Sequence, residues 1–147
     1  MTAYRRVNID GKSITETRVM NAAINPGSVV EINSSDKFIQ AVTPFSGKRL
    51  YVLNPAYHQG LDISTQVPAG DSGVGEYVEE GRELAVRVAA GTYTKDQPLT
   101  IVSGAFAAVP TAAGTYPIVG YSQDAVTFAA VDFLRVRIQT GDTVTKS

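Results

Sequence analysis

The apolar residues of this chain recur at every second position in short runs, and turn-forming residues separate the runs. Leu84, Val86 and Val88 share one face of such a run, and the same alternation continues through residues 133–138. An apolar period of about 3.6 residues never persists for three turns. The pattern therefore predicts a mainly β protein with little helix, built from about seven to nine short strands in a small compact barrel or sandwich.

Residues 28–42 illustrate this pattern as a hairpin. Val30 and Ile32 alternate with polar neighbours, residues 33–36 (Asn-Ser-Ser-Asp) supply a turn signal, and the alternation resumes at Phe38. Two runs of period two separated by a short polar segment are typical of antiparallel strands. We therefore expect a strand on each side of the turn.

The middle of the chain holds a central strand and a long interruption. Residues 48–53 are apolar on both faces after a charged start, as expected of a strand that is covered on both sides. Residues 55–83 contain Pro68 and five glycines without a clear period, which predicts a long surface loop. Short helices are expected at most near residues 56–61 and 124–130.

One pentapeptide, Ala-Ala-Gly-Thr-Tyr, occurs twice, at residues 89–93 and 112–116. A single repetition falls short of the roughly three stacked units that a repeat architecture requires. Two similar hairpin corners explain it better, with glycine supplying the turn and Thr-Tyr beginning the next strand.

The length of 147 residues fits one domain with tails. Residues 1–24 are polar, mixed in charge and without a period, and Pro26-Gly27 separates them from the rest. We predict a flexible, extended N-terminal arm over residues 1–24, a β domain over residues 25–140 and a polar tail over residues 141–147. The apolar side chains that such an arm offers for contacts are Tyr4, Val7, Ile9 and Ile14. A disordered leader without a role is the alternative.

The charge and the cysteine content exclude several broad classes of protein. Thirteen basic and fourteen acidic residues give a net charge of -1, which disfavours general binding to nucleic acid or to an anionic membrane. The chain has no cysteine and therefore no disulfide framework, which suits a reducing compartment. The N-terminus lacks the apolar core of a signal peptide, and no stretch reaches the roughly 18 apolar residues of a membrane span.

The motifs that suggest chemistry lack their partners. Residues 70–73, Gly-Asp-Ser-Gly, match the surroundings of a serine protease nucleophile, but the one histidine, His58, lies at the wrong spacing for a base. The glycine pattern at residues 70–75 lacks the lysine of a phosphate loop and precedes Glu76. We therefore expect no catalytic residue and no cofactor-binding residue.

The charged clusters have ordinary structural explanations. Asp71 and the glutamates between residues 76 and 83 lack the spacing of a calcium loop, so a solvated acidic loop is expected and no metal site. His58 lacks the further histidine or cysteine ligands that zinc requires. Arg135 and Arg137 on the last long strand are expected to pair with neighbouring acids.

Four segments together carry a resemblance to a known family. They are the acidic glycine-rich stretch with the two strands after it (residues 67–101), the element Ile-Val-Gly-Tyr-Ser-Gln-Asp-Ala-Val at residues 118–126, the strand at residues 133–138, and Asn25-Pro26-Gly27. In pattern and spacing over most of residues 25–139, the chain resembles the small head-decoration, or cement, proteins of tailed bacteriophages of the lambda-like group. The resemblance implies a compact, β-tulip-like body.

The resemblance also implies a function. A decoration protein binds the outside of the expanded head, commonly as a homotrimer at local three-fold sites, and stabilises the shell. The implied partners are the major capsid protein and other copies of the chain, with no nucleic acid, membrane or small-molecule substrate, and the protein would not be an enzyme. The implied location is the outer surface of the virion, after assembly in the host cytoplasm.

The arm would bind the capsid by adding its backbone to strands of the capsid protein. Its expected contact residues are Tyr4, Arg5, Arg6, Val7, Asn8, Ile9 and Ile14. The residues considered for a trimer contact are Tyr57, Leu61 and Tyr77, for which packing within their own subunit is the alternative.

Two rival functions stay open from the residues alone. A carbohydrate-binding or receptor-binding module of a phage structural protein would also be rich in β structure and free of cysteine. Such modules usually display aromatic platforms, whereas this chain has no tryptophan and its seven tyrosines are dispersed. The second rival is a small enzyme with a dispersed carboxylate site.

Overall fold

A computed structural model describes residues 3–43 and 47–147 of the chain. It confirms a compact, mainly β protein with one short helix, a 3-10 turn at Tyr57–Gln59, among these residues. The described strands are more numerous and shorter than the sequence predicts. In chain order they are β1 (Asn8–Asp10), β2 (Thr15–Met20), β3 (Val29–Ile32), β4 (Lys37–Gln40), β5 (Tyr51–Leu53), β6 (Ser72–Tyr77), β7 (Glu83–Val88), β8 (Gly91–Tyr93), β9 (Pro98–Val102), β10 (Ala105–Ala108), β11 (Gly114–Pro117), β12 (Gly120–Ser122), β13 (Val126–Phe128), β14 (Asp132–Ile138) and β15 (Thr143–Lys146).

Five of these strands close into a barrel in the order β2-β4-β3-β5-β6. The predicted hairpin is confirmed, because β3 and β4 pair antiparallel, and so is the central strand, because β5 lies between β3 and β6. The barrel interior is filled by buried side chains that include Met20, Phe38 and Leu53. Side chains on the other face of the same strands, such as Val29 and Val52, pack into a second and larger core.

Strand β6 lies inside the segment that the glycines predict to be loop, so that prediction is wrong for residues 72–77. Gly73 and Gly75 of β6 allow neighbouring side chains to pack directly against the backbone of this strand. A Cβ atom on Gly75 would lie 2.7 Å from the Cβ atom of Tyr51, and one on Gly73 would overlap the sulfur of Met20. The barrel is narrow enough that strand β6 passes its neighbours only without side chains at these positions.

The other large sheet has six strands in the order β1-β7-β14-β12-β9-β10, with every pair antiparallel. Its inner face carries the apolar residues of the alternating runs, which pack against the barrel. They include Leu84, Val86, Leu134 and Val136. The larger core therefore lies between the barrel and this sheet.

Residues 27–29 join the barrel to the six-stranded sheet. The Gly27 amide donates to the Leu53 carbonyl in β5 at 2.8 Å, and the Gly27 carbonyl accepts from the Arg87 amide in β7 at 3.1 Å. The Val29 amide donates to the Gly104 carbonyl at 2.8 Å, between β9 and β10. Because this one segment bonds to both layers, the two layers form a single body.

Two short ribbons extend the six-stranded sheet, β8 with β13 and β11 with β15. Strand β13 lies where a short helix is expected at most, so no helix forms there. Strand β15 lies in residues 141–147, where the sequence predicts only a polar tail. Its pairing with β11 satisfies the backbone groups of these residues.

The prediction of a flexible arm over residues 1–24 is not confirmed, and residues 1 and 2 lie outside the described part. Strand β1 pairs with β7, and strand β2 pairs with β4 and β6 inside the barrel. Val7 and Met20 are almost completely buried. Of the apolar side chains interpreted as contacts for a partner, Val7 instead lies in the protein's own core, and burying it helps to offset the entropy of ordering the chain.

Candidate functional site

Residues 3–9 lie across the surface of the body beside the loop of residues 57–64, and we call these two segments together the N-terminal surface. Strand β1 fixes the end of the first segment, since the Ala85 amide donates to the Val7 carbonyl at 2.7 Å. The 3-10 turn fixes the second segment, and the Tyr57 hydroxyl donates to the Arg5 carbonyl. The two segments therefore hold each other in place.

Tyr57 lines three clefts along the N-terminal surface. The first, of about 500 Å³, contains Tyr4, Arg5 and Leu61, and the second, of about 410 Å³, lies along residues 3–9. The third, of about 430 Å³, lies on the other side of Tyr57 toward β6. Its lining includes Arg6, Asn8, Ser13, Asn54, His58 and Glu76.

Two arginines supply the cationic charge of this surface, and the exposed Asp62 carboxylate also lies on it, in the first cleft. The side chains of Arg5 and Arg6 are exposed, and neither forms an ion pair within residues 3–43 and 47–147. Tyr57, which lines a cleft with both of them, is 53% exposed. Desolvation raises the pKa of the Tyr57 phenol, and the Arg6 guanidinium opposes that shift. A cationic pair with an exposed ring suits an acidic partner surface.

Tyr4 is anchored to the six-stranded sheet. Its ring packs against a small apolar cluster that contains Ile63 and Phe133, and its hydroxyl lies 3.5 Å from the Asp124 carboxylate. Burial, and then the charge of Asp124, raise the pKa of the Tyr4 phenol. Asp124 in turn pairs with Arg135 at 2.9 Å.

The remaining residues predicted for the arm are dispersed. Val7 is in the large core, and Ile9 packs partly buried against the cluster of Ile63 and Phe133. Asn8 accepts a hydrogen bond from Arg82, and Ile14 is 42% exposed beyond strand β1. The structure thus brings Tyr4, Arg5, Arg6 and Asn8 to the N-terminal surface and places Val7 inside the body.

Two of the residues considered for a trimer contact, Tyr57 and Leu61, share a cleft with Tyr4 and Arg5. Leu61 also packs against the barrel core. Tyr77 is separate from them, since its ring lies 6.0 Å from the Tyr51 ring, with the Arg49 guanidinium 4.8 Å above it. For Leu61 and Tyr77 the structure therefore contains the intramolecular packing that is the alternative to a trimer contact.

A buried polar network beneath the third cleft is not predicted by the sequence. Glu76, expected in a solvated acidic loop, is 5% exposed and forms an ion pair of 3.1 Å with Arg82, which is 3% exposed. The Ser13 hydroxyl lies 2.8 Å and 3.0 Å from the two Glu76 oxygens, and Arg82 donates to the Asn8 side chain at 2.7 Å. The network fastens residues 8–13 between the barrel and the sheet. The one sequence signal that could have indicated this network is Arg82, a single arginine among the six acidic residues of positions 60–84.

Arg135 and Arg137 on β14 also form ion pairs. Arg137 lies 3.0 Å from Glu83, and Arg135 lies 3.9 Å from the same carboxylate, as expected for these two arginines. Within the described ranges, no group of three or more histidine, cysteine, aspartate or glutamate residues could hold a metal ion. The described part also contains no helix of the length and apolarity that a bilayer crossing requires.

Comparison with known proteins adds no family to this description. No protein-family model matches the chain, and no curated protein sequence matches it either.

Proposed function

We propose that this protein decorates the outside of a tailed-phage head, binds the expanded shell, and does so as trimers at local three-fold sites. The observation that supports this best is the N-terminal surface, where the exposed Arg5, Arg6 and Tyr57 line one cleft on a β body. The resemblance of residues 25–139 to phage decoration proteins suggests that this surface binds the shell of a phage head. The same reasoning places the protein on the virion surface with the major capsid protein as its partner.

The position of the N-terminal segment changes the proposed mode of binding. If residues 4–10 left the body as a free arm to add to a strand of the capsid protein, β1 would have to leave β7, Val7 would become exposed, and Arg82 would lose its bond to Asn8. Exposing the Val7 side chain alone costs about 1.5–3 kcal/mol. We therefore propose that the segment binds in place and presents Arg5 and Arg6 to an acidic surface of the shell.

Trimers would strengthen such a contact. A patch with two cations and one ring binds weakly by itself, because exposed ion pairs each contribute about 1 kcal/mol or less. Three patches on one rigid assembly raise the effective concentration and increase the affinity by roughly 100-fold to 10,000-fold. A shell whose sites match the spacing only after expansion would then be bound selectively in that state.

The experiment mixes purified protein with expanded and with unexpanded heads and measures binding by co-sedimentation and electron microscopy. Binding to the expanded form alone is expected. The double variant Arg5→Glu/Arg6→Glu should lose most of this binding. Lys37→Glu/Lys95→Glu is the control, since it makes the same charge change at two exposed positions outside the N-terminal surface.

Three outcomes decide between the parts of the proposal. If the unaltered protein binds neither kind of head, decoration is wrong. If it binds but the arginine variant binds equally well, the function stands and the N-terminal surface is the wrong contact. If deletion of residues 2–6 leaves binding unchanged, residues 3–6 are likewise not needed.

A carbohydrate-binding function is the second candidate, and the third cleft favours it. Asn8, Arg6 and Tyr57 are among the side chains that line this cleft, and an amide, a cation and an aromatic ring suit the hydroxyl groups and ring faces of a sugar. A glycan array followed by titration calorimetry would test it. Binding of a glycan that Tyr57→Ala removes, without binding to heads, would favour this candidate over decoration.

A further inference from the structure

Asp10 and Gly11 stand at the exposed end of strand β1, and theirs is the one place in the chain where a glycine follows an aspartate. The chain has eight aspartates, and the residue after each of the other seven carries a side chain. A glycine amide is the least hindered backbone amide, because glycine has no Cβ atom beside its nitrogen. The Gly11 nitrogen is therefore the backbone amide best able to attack the side chain of the aspartate before it.

The two groups that would react already lie in contact. The Gly11 amide donates to the Asp10 carboxylate, with 2.8 Å between nitrogen and oxygen. Since a carbon–oxygen bond of this kind measures about 1.2 Å, the nitrogen lies at most about 4 Å from the carboxyl carbon. Both residues are exposed. The reacting atoms can therefore meet without any rearrangement of the core.

The ladder between β1 and β7 does not hold the Gly11 amide. Asn8 lies opposite Leu84 and Asp10 opposite Glu83, so the register shifts within this short strand. Strand β1 ends at Asp10, and Gly11 has a φ of 95°, which is outside the extended conformation of a strand. The Gly11 amide thus bonds to the side chain with which it can react, and not to a neighbouring strand.

The chain on either side of this pair is fastened to the body. Asn8 accepts a hydrogen bond from Arg82 at 2.7 Å, and the Ser13 hydroxyl donates to Glu76 at 2.8 Å. Gly11 itself lies against the stem of Arg82, since a Cβ atom on Gly11 would be 3.3 Å from the Arg82 Cγ atom. The backbone between residues 8 and 13 therefore has a set length between two anchors.

We propose that Asp10-Gly11 is a site of spontaneous isomerisation to isoaspartate, and that the product weakens the hold on residues 8–13. The Gly11 nitrogen bonds to the Asp10 carboxyl carbon, and one carboxyl oxygen leaves as water with the amide proton and a proton from solvent. This closes a five-membered succinimide ring. Water then opens the ring at either of the two bonds from the nitrogen to a carbonyl carbon. Cleavage at the side-chain carbon restores aspartate, and cleavage at the main-chain carbon gives isoaspartate.

The isoaspartate product has a longer backbone, because the chain now runs through the Asp10 side chain and gains one carbon atom. Between fixed anchors at Asn8 and Ser13, the extra length must bulge into solvent or displace an anchor. Displacement leaves the buried pair of Glu76 and Arg82 with fewer partners, which destabilises it. We therefore expect the modified protein to be less stable than the unmodified protein. The reaction does not depend on what the protein binds.

The first experiment incubates the full chain in heavy-oxygen water at neutral pH and physiological temperature, then maps peptides after digestion in ordinary water. Ring opening places one heavy oxygen in residue 10 whichever bond breaks, and isoaspartyl methyltransferase labels the isoaspartate. We expect heavy oxygen at residue 10 before any other aspartate. The rate should be within about ten-fold of that in a synthetic peptide of residues 6–14, which is about 1.4 kcal/mol in activation free energy. Asp10→Glu is the matched control, since it keeps the charge but would have to close a six-membered ring, and it should take up no heavy oxygen at this position.

The second experiment separates the isoaspartate form by chromatography and compares it with unmodified protein. We expect a lower midpoint of urea denaturation. Hydrogen exchange of the Ala85 amide, which donates to the Val7 carbonyl, should also be faster. Asp10→Glu incubated for the same time should show neither change, because it cannot form the five-membered ring.

Three outcomes would overturn the inference. A rate in the folded protein more than about ten-fold below that of the peptide would show that the fold protects this pair. Earlier uptake at Asp71, which precedes the barrel strand β6, would show that exposure and the glycine do not select the site. An isoaspartate form with the same midpoint and the same exchange at Ala85 would show that the longer backbone leaves residues 8–13 in place.

Discussion

Single glycines determine how closely the layers of this protein approach. Gly27 has a φ of 84° and lies where the barrel and the six-stranded sheet meet, so that a Cβ atom would lie 2.8 Å from the Arg87 amide nitrogen and overlap the Phe133 ring. Gly70 has nearly the same φ, 82°, yet no atom lies within 4 Å of the corresponding Cβ position. A side chain at either position would strain the backbone, but only a side chain at position 27 would also collide with neighbouring atoms.

Replacing each of these glycines by alanine should therefore give unequal losses. Both variants carry the strain of a left-handed backbone, and only Gly27→Ala adds overpacking. We expect it to lower the free energy of unfolding by about 1–3 kcal/mol more than Gly70→Ala does. Urea denaturation of both variants measures the difference. Equal losses would mean that the junction adapts to the methyl group.

Tyr93 makes the stability sensitive to alkaline pH. Burial raises the pKa of its phenol above the ordinary value of about 10. Between the two pKa values the unfolded chain has lost this proton and the folded protein has kept it, so the free energy of unfolding falls as the pH rises above about 10. Below pH 10 the phenol is protonated in both states and contributes no slope.

Tyr93→Phe should reduce this sensitivity. The variant loses the hydrogen bond to Ala89 and is expected to be less stable at pH 7 by about 1 kcal/mol. Above pH 10 its free energy of unfolding should fall less steeply than that of the unaltered protein, because one titrating group is missing. Urea denaturation at several pH values between 7 and 11 measures both effects. Parallel curves above pH 10 would contradict the assignment.

At the scale of elements, the N-terminal segment is part of the body because of what lies on either side of it. Strand β1 has three residues and would not persist alone. It is held by the buried Val7 just before it and by hydrogen bonds of Asn8 to Arg82 and of Ser13 to Glu76. Residues 3–6 precede these anchors. The segment therefore has a tightly held part and an outer part.

Two deletions should show this division. Removal of residues 2–15 takes away Val7, β1 and two partners of the buried ion pair, and we expect a loss of about 3–6 kcal/mol in the free energy of unfolding. Removal of residues 2–6 keeps these anchors and should cost about 1 kcal/mol. Urea denaturation measures the stabilities, and hydrogen exchange follows the Ala85 amide, whose acceptor is the Val7 carbonyl. Similar stabilities for both deletions would indicate that residues 7–15 do not support the body.

At the scale of the whole molecule, the barrel and the six-stranded sheet share one core. Val29 and Val52 of the barrel lie in the same buried cluster as Leu84 and Leu134 of the sheet. Residues 27–29 also bond to strands of both layers. Neither layer could lose its structure without exposing apolar surface of the other.

We therefore expect one cooperative unfolding transition for the whole protein. Phe38→Ala in the barrel and Leu134→Ala in the sheet should each lower the free energy of unfolding by about 2–5 kcal/mol and shift this same transition. Circular dichroism and tyrosine fluorescence during urea denaturation should give coincident curves for both variants. Two transitions, each shifted by one variant only, would mean that the layers unfold independently.

The local pattern of the sequence was sufficient for the fold class and for several strands. Alternation at residues 84–88 and 133–138 predicted β7 and β14, because a strand with one face in a core requires this period. The tetrapeptide at residues 33–36 likewise predicted the turn between β3 and β4. These features depend on neighbours in the chain and can be seen without the rest of the molecule.

Only the tertiary structure decided the role of the N-terminal segment, the glycine-rich stretch and the candidate site. Glycines at positions 73 and 75 indicate a loop locally but permit a strand in a narrow barrel, and Val7 is buried because β7 offers it a place. Tyr57 meets Arg5 across 52 positions of sequence. Such pairings are set by packing between segments that are distant in the chain. The free energy of that packing cannot be evaluated from a short stretch of sequence. The sequence alone therefore determined a β body, and the fold determined which of its residues face outward.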